Sequence, residues 1–195
     1  MGNKATLNLD GQIFEFETGI GSEKEKYIDI ASLRSKTGHI TMDPGFGNTG
    51  SCFSSITYID GKNGILQIRG YPIEDLALKA SFVETAYLIL YGELPDENEL
   101  VNFSAGLKEH APIHTNLEHH FSGFPKSAPP MAILSAMLNL VSCFHPEVLD
   151  VTSDGPEFDK TATLLMSKVR TIAAFAYRMA SGKPINHPNP CLLYT

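Results

Sequence analysis

The stretch Gly64-Ile65-Leu66-Gln67-Ile68-Arg69-Gly70-Tyr71-Pro72-Ile73-Glu74-Asp75-Leu76-Ala77, continued by Phe82-Val83-Glu84-Thr85-Ala86-Tyr87-Leu88-Ile89-Leu90-Tyr91-Gly92-Glu93-Leu94-Pro95, decides how this chain is organised. Ile65, Leu66 and Ile68 are strand formers, and the strand is expected to stop at Gly70. Pro72 lacks an N–H and has a fixed φ, which suits the first turn of a short helix. A second helix is expected to stop at Gly92, where the missing Cβ permits a left-handed cap, with Pro95 just beyond.

Working outward, the first seventy residues read as β-rich. Ala5-Thr6-Leu7-Asn8-Leu9 alternates, Asp10-Gly11 is a two-residue turn, and Ile13-Phe14-Glu15-Phe16 alternates back. A short extended piece is expected over Tyr27 to Ile30. Ser32 to Ser35 is ambiguous, and Thr37 to Asn48 reads as loop. Ser55 to Ile59 and Ile65 to Ile68 read as a second pair of strands around the turn at Asp60 to Gly64.

After Pro72 the pattern turns helical. Asp96 is placed to cap a helix reaching Glu109, with Leu100, Phe103 and Leu107 on one face. Pro112 interrupts, and Ile113, Leu117 and Phe121 form the next stripe. Pro129-Pro130 opens an apolar helix from Met131 to Phe144. Asp154-Gly155-Pro156 opens the last long helix, whose apolar face reads Leu164, Leu165, Val169, Ile172 and Phe175, and Gly182 and Pro184 end it. The change of character sets the expected domain boundary: residues 1–70 as a β-rich module and 71–195 as helical.

Composition narrows the function classes. The 195 residues are 43% hydrophobic and 19% charged, a globular balance, and a domain of that length buries about 70% of its unfolded surface. The formal net charge of −7 opposes a general basic field for nucleic acid or membrane surfaces. The apolar run Met131 to Phe144 is too short to span a bilayer. Lys4 is followed by no apolar core of a secretory signal. Cys52, Cys143 and Cys191 are far apart with no CxxC pair, which fits a reduced cytoplasm better than a disulfide framework.

Few residues invite a catalytic reading. His110 and His114 are spaced i, i+4, as metal ligands on one helix would be, but Pro112 lies between them and capping roles are expected. No metal site is expected. His119 and His120 are adjacent and cannot share a helix face. Asp43, Asp60, Glu74 and Asp75 sit in turns or helix starts, where carboxylates commonly cap N–H groups. Gly45 to Gly50 is glycine-rich but matches neither a P-loop nor a dinucleotide fingerprint. Arg69 at a strand end has the geometry to bind a carboxylate, and a structural ion pair is expected there instead.

The decisive stretch resembles the citrate synthase family. Arg69-Gly70-Tyr71-Pro72-Ile73-Glu74 and Tyr87-Leu88-Ile89-Leu90-Tyr91-Gly92-Glu93-Leu94-Pro95 are similar to its N-terminal signature. Met42-Asp43-Pro44-Gly45-Phe46 and Ser51-Cys52 resemble elements of the hexameric bacterial type, and downstream Leu164-Leu165-Met166-Ser167-Lys168 and Thr171-Ile172-Ala173-Ala174 also match the family. The resemblance implies a mainly α fold: part of the citrate synthase large helical domain, preceded by a small β-rich module.

It also implies condensation of acetyl-CoA with oxaloacetate in the citric acid cycle. Acetyl-CoA enters as a substrate, no cofactor is implied, and a homo-oligomer (dimer or hexamer) is expected. The family's catalytic His, His and Asp and its substrate-binding arginines belong to its second half, so no catalytic or substrate-binding residue is assigned here and the 195 residues alone are expected to be inactive. Some hexameric members carry an allosteric NADH site. Its matching positions here are Glu109, His110, Ala111, Pro112, His145, Leu164 and Lys168, of which only His110 and Lys168 keep the pattern. Weak or absent NADH inhibition is therefore expected.

Pro190 to Thr195 has no charged final turn where the family continues into a helix, so a truncated piece of a longer protein is expected. Two alternatives stay open. One is a 2-methylcitrate synthase fragment using propionyl-CoA, although the β-rich module leans towards citrate synthase. The other is a non-catalytic assembly or regulatory module, because half a helical domain is expected to expose Ile133, Leu134, Met137 and Leu138 and to associate through them.

Overall fold

The computed structural model describes residues 4–149 and 155–189, with the side chain of Pro156 left aside. The expected helix opener Asp154, the thiol Cys191 and the final run to Thr195 lie outside the described residues. The chain divides into two compact units, Met1–Ser55 and Ile56–Thr195.

In the first unit, β1 (Lys4–Leu9) and β2 (Gln12–Ile20) form an antiparallel hairpin with Leu9 opposite Gln12. Asp10 and Gly11 both take positive φ, at 52° and 82°. That is the type I′ geometry whose twist matches flanking strands. β3 (Lys26–Ile28) pairs with the far end of β2 and sets Tyr27 opposite Gly19. The Tyr27 ring occupies the space of the missing side chain, since a Cβ on Gly19 would fall 2.3 Å from it. The ambiguous segment after Ser32 is a short helix, α1 (Leu33–Thr37). It packs on β2: Leu33 and Phe16 are buried, and Lys36 Nζ lies 5.4 Å from the centre of the Phe16 ring. The expected loop contains a 3₁₀ turn at Pro44–Phe46.

The second unit begins with β4 (Thr57–Asp60), β5 (Ile65–Ile68) and β6 (Tyr71–Pro72), a three-stranded antiparallel sheet. Ile68 pairs with Tyr71, so Arg69-Gly70 is itself a two-residue hairpin turn, with φ of 51° and 85°. Pro72 therefore stands outside the following helix, with φ −59° and ψ 139°, instead of within its first turn. The units divide at Ser55/Ile56 and not at the compositional change near residue 70, because this sheet clusters with the helices.

The helices follow as α2 (Ile73–Lys79), α3 (Phe82–Tyr91), α4 (Glu97–Glu109), α5 (Thr115–His119), α6 (Pro130–Phe144) and α7 (Pro156–Ala180). α3 and α4 each start with a complete capping box, Ser81 with Glu84 and Asp96 with Glu99. Gly92 ends α3 in the left-handed conformation at φ 95°. Two clusters hold the unit together. Leu117, Phe121, Ile133, Met137, Val141, Leu164, Ile172, Phe175 and Ala176 form one, and Val83, Ala86, Phe103 and Leu107 the other.

Two expectations about exposure are corrected here. Ile133 and Met137 are 1% and 0% exposed, and Leu134 and Leu138 are partly buried against the same cluster, so this face is covered by α5 and α7. On α7, Val169 is 37% exposed and its neighbour Lys168 is buried. Burial on that helix follows the backbone it must contact as well as apolar character.

Candidate functional site

The expected site residues fall around the C-terminal end of α4. A helix leaves its last four carbonyls without intrahelical partners, and here α7 crosses close beside them. Gly106 permits the approach: a Cβ there would lie 3.2 Å from Thr163 Cγ2. Between α3, α4 and the start of α7 runs an open groove of about 470 Å³.

One end of the groove is aromatic. Tyr87 and Tyr91 lie 4.3 Å apart, centre to centre, and Phe103 meets Tyr87 edge-on at 5.5 Å. The Tyr91 hydroxyl donates to Asp159 Oδ1 at 2.7 Å, tying α3 to α7. Burial, then the Glu99 carboxylate, pushes the Tyr87 hydroxyl up to about 12. Burial and Asp159 raise that of Tyr91 as well. The other end carries Glu109, His110 and Lys160. Burial lowers the pKa of His110, with the Lys168 and Lys160 charges adding to the shift against the opposing pull of Glu109. The shift favours the uncharged imidazole, and Glu99, Glu109 and Asp159 then line the groove with Lys160 as its lysine.

Of the two residues expected to contact a nucleotide, His110 lines this groove and Lys168 does not. The Lys168 ammonium donates to the carbonyls of His110, at 2.8 Å, and of Pro112. Burial lowers its pKa. Leu164 sits in the main core, Ala111 is buried, and His145 approaches Glu147 at 3.5 Å. The structure thus brings His110 and Lys168 together through a backbone carbonyl, not as two side chains facing one ligand.

Several other candidates are accounted for by local structure. His114 caps α5, its Nδ1 accepting from Asn116 N at 3.1 Å. Asp43 accepts from Gly47 N, Asn48 N and Thr49 Oγ1, contacts that hold its carboxyl below the usual range. Asp60 does the same for the β4–β5 turn through Lys62 and Asn63. Asp75 pairs with Lys79 at 2.7 Å. Arg69, expected in an ion pair, donates from Nη2 to the Ile89 carbonyl at 2.8 Å, and Ile89 lies in the last turn of α3. Sequence reasoning missed the groove's aromatic end. The signal was the i, i+4 pair Tyr87 and Tyr91 on a helix facing Phe103. Among the described residues, no three His, Cys, Asp or Glu side chains converge to hold a metal ion, and no helix is long and apolar enough to cross a membrane.

Comparison with known proteins places this architecture. The family model "Citrate synthase, C-terminal domain" matches residues 45–195. Citrate synthase 1 of Mycobacterium tuberculosis, in strains CDC 1551 / Oshkosh and ATCC 25618 / H37Rv, is 41% identical over 188 residues, covering 96% of this chain and 43% of the relative. The chain therefore spans less than half the length of these curated relatives.

Among solved structures, citrate synthase from Thermotoga maritima is similar at a TM-score of 0.65 and 30% identity, over 78% of this chain and 38% of that one. Citrate synthase from Pyrobaculum aerophilum is similar at 0.65 and 30%, over 80% and 42%. The citrate synthase of Thermoplasma acidophilum, in ternary complex with carboxymethyl coenzyme A and oxaloacetate, shares the fold at a TM-score of 0.66 and 23% identity, over 73% and 37%. With a family model covering most of its length and relatives agreeing in sequence and in fold, the chain belongs to the citrate synthase family.

Proposed function

We propose that this chain is the leading part of a citrate synthase that condenses acetyl-CoA with oxaloacetate and hydrolyses the resulting citryl-CoA thioester. The observation that carries the reading is 41% identity along 96% of the chain to a citrate synthase more than twice as long. The reaction requires a carboxylate to take a weakly acidic methyl proton, donors to stabilise the enolate, and arginines to hold two substrate carboxylates. By resemblance those groups belong to the remainder of the enzyme. These 195 residues supply scaffold: the helices α3 to α7 that pack beside the active site, and the β-rich module. The exposed thiols Cys52 and Cys143 suit a reducing cytoplasm, and assembly as a dimer or hexamer is part of the proposal.

The test measures CoA thiol release from acetyl-CoA and oxaloacetate, using the full-length enzyme and residues 1–195 alone. Turnover is expected only from the full-length enzyme. Turnover by the 195 residues alone overturns the scaffold assignment, and a preference for propionyl-CoA over acetyl-CoA overturns the substrate assignment. Weak or absent NADH inhibition belongs to the same reading. Its support is the acidic groove at His110 and the engagement of Lys168 by carbonyls, both unfavourable to the two negative charges of a dinucleotide pyrophosphate. Tight inhibition in an NADH titration of the full-length enzyme contradicts it.

A further inference from the structure

Three side chains on one face of α7 reach the backbone at the end of α4. Ser167 Oγ donates to the Leu107 carbonyl at 2.7 Å. Lys168 Nζ donates to the carbonyls of His110, at 2.8 Å, and Pro112. Thr171 Oγ1 donates to the Ala111 carbonyl at 2.8 Å. None is more than 5% exposed, so water does not substitute for these donors. The carbonyls involved run almost continuously from the last turn of α4 through the corner that leads to α5.

The choice of a buried lysine here is informative. Removing an ammonium from water is strongly unfavourable unless it is well solvated by the protein. Two carbonyls and the negative end of the α4 dipole provide that solvation. The dependence is mutual, because without the ammonium the carbonyls of His110 and Pro112 lose a buried donor. The groove at His110 has walls on both joined elements: Glu109 and His110 on the α4 side, Asp159, Lys160 and Thr163 on α7.

We infer that Ser167, Lys168 and Thr171 form a latch, closed by the Lys168 charge, which fixes the 107–112 corner onto α7 and so sets the shape of the groove at His110. Lys168 is a positioning residue: it acts on the groove through backbone carbonyls, not by touching a ligand. Opening the latch releases the corner while the α6–α7 core stays closed, because that core is held by apolar packing among Ile133, Met137, Ile172 and their neighbours.

The experiment is amide hydrogen exchange on the full-length protein, comparing wild type with Lys168→Met, Thr171→Val and Thr171→Ser. A hydrogen bond to a charged group contributes about tenfold or more to a local opening equilibrium, and a neutral one about fivefold. Lys168→Met is expected to speed exchange of the amides of Lys108, Glu109, His110, Ala111 and Ile113 about tenfold or more, with α6 amides unchanged. Thr171→Val is expected to give a few-fold acceleration confined to the corner, and Thr171→Ser, which keeps the hydroxyl, to restore wild-type exchange. Unchanged corner exchange in Lys168→Met, or equal acceleration in the corner and α6, overturns the latch. If Lys168→Met does not fold, the valine and serine variants decide: a serine variant that exchanges as fast as the valine variant overturns it.

Discussion

Arg69 occupies a position that most side chains avoid. It is the first residue of a type I′ turn, where asparagine or glycine is preferred, and its φ of 51° is left-handed. Strain of this kind costs roughly 1–3 kcal/mol. It persists because the guanidinium reaches the last turn of α3 and donates to the Ile89 carbonyl. One residue therefore turns the strand and satisfies a helix end. Arg69→Ala keeps the strained Cβ and loses the donor, whereas Arg69→Asn relieves the strain and loses the same donor. The alanine variant is expected to be less stable than the asparagine variant by about 1 kcal/mol in urea denaturation, and equal midpoints would count against the strain. The tyrosines of the groove make a second prediction at this scale. A tyrosine whose folded pKa is raised keeps its proton longer in the native state, so its contribution is whole below the unfolded value of about 10 and is lost as pH rises through the folded value. Tyr87, pushed up to about 12, and Tyr91, raised in the same direction, therefore predict a loss of stability that begins above about pH 10. Thermal melts across that range should show a shallower alkaline decline in Tyr87→Phe and Tyr91→Phe; an unchanged slope would mean that other groups control it.

At the scale of elements, what the sequence discloses depends on how local the cause is. Asp10-Gly11, Gly92 and Asp96 are legible because turn and cap chemistry act within a few residues. Both capping boxes carry their signal in the sequence, as Ser81 followed by Glu84 and Asp96 followed by Glu99. Replacing Ser81 or Asp96 by alanine is expected to cost about 1 kcal/mol each. Because the two helices start separately, the double variant should lose the sum in chemical denaturation. A loss well below that sum would mean that the two starts are coupled. Other features depend on partners far away in the chain. Pro72 reads as helical until one sees that Tyr71-Pro72 pairs back onto β5. α1 is ambiguous because its apolar anchor, Leu33, is meaningful only against β2. Lys168 reads as a ligand-facing cation by resemblance, while its actual partners lie more than fifty residues earlier. The groove at His110 was only half legible for the same reason: its histidine is marked by the resemblance, but its aromatic and acidic walls converge from α3, α4 and α7.

At the scale of the molecule, the division at Ser55/Ile56 separates two cores of different size. The first rests on Phe16 and Leu33 beneath a small sheet, the second on a cluster that includes Met137 and Val141 at 0% exposure. A small unit buries a smaller share of its surface and is the more marginal of the two. Met137→Ala removes a fully buried side chain at a site enclosed by α5, α6 and α7, and should destabilise the helical unit by about 2–5 kcal/mol. Phe16→Ala, also buried, should cost about 3–5 kcal/mol, a loss expected to fall on residues 4–55. Exchange-monitored denaturation of the full-length protein separates the effects by location. In Phe16→Ala, amides of β1 and β2 should lose protection at lower denaturant while those of α6 and α7 keep their midpoint, and Met137→Ala should show the converse. If Phe16→Ala lowers both midpoints equally, the two units unfold as one cooperative body, and the division at Ser55/Ile56 is one of contacts without a counterpart in energy.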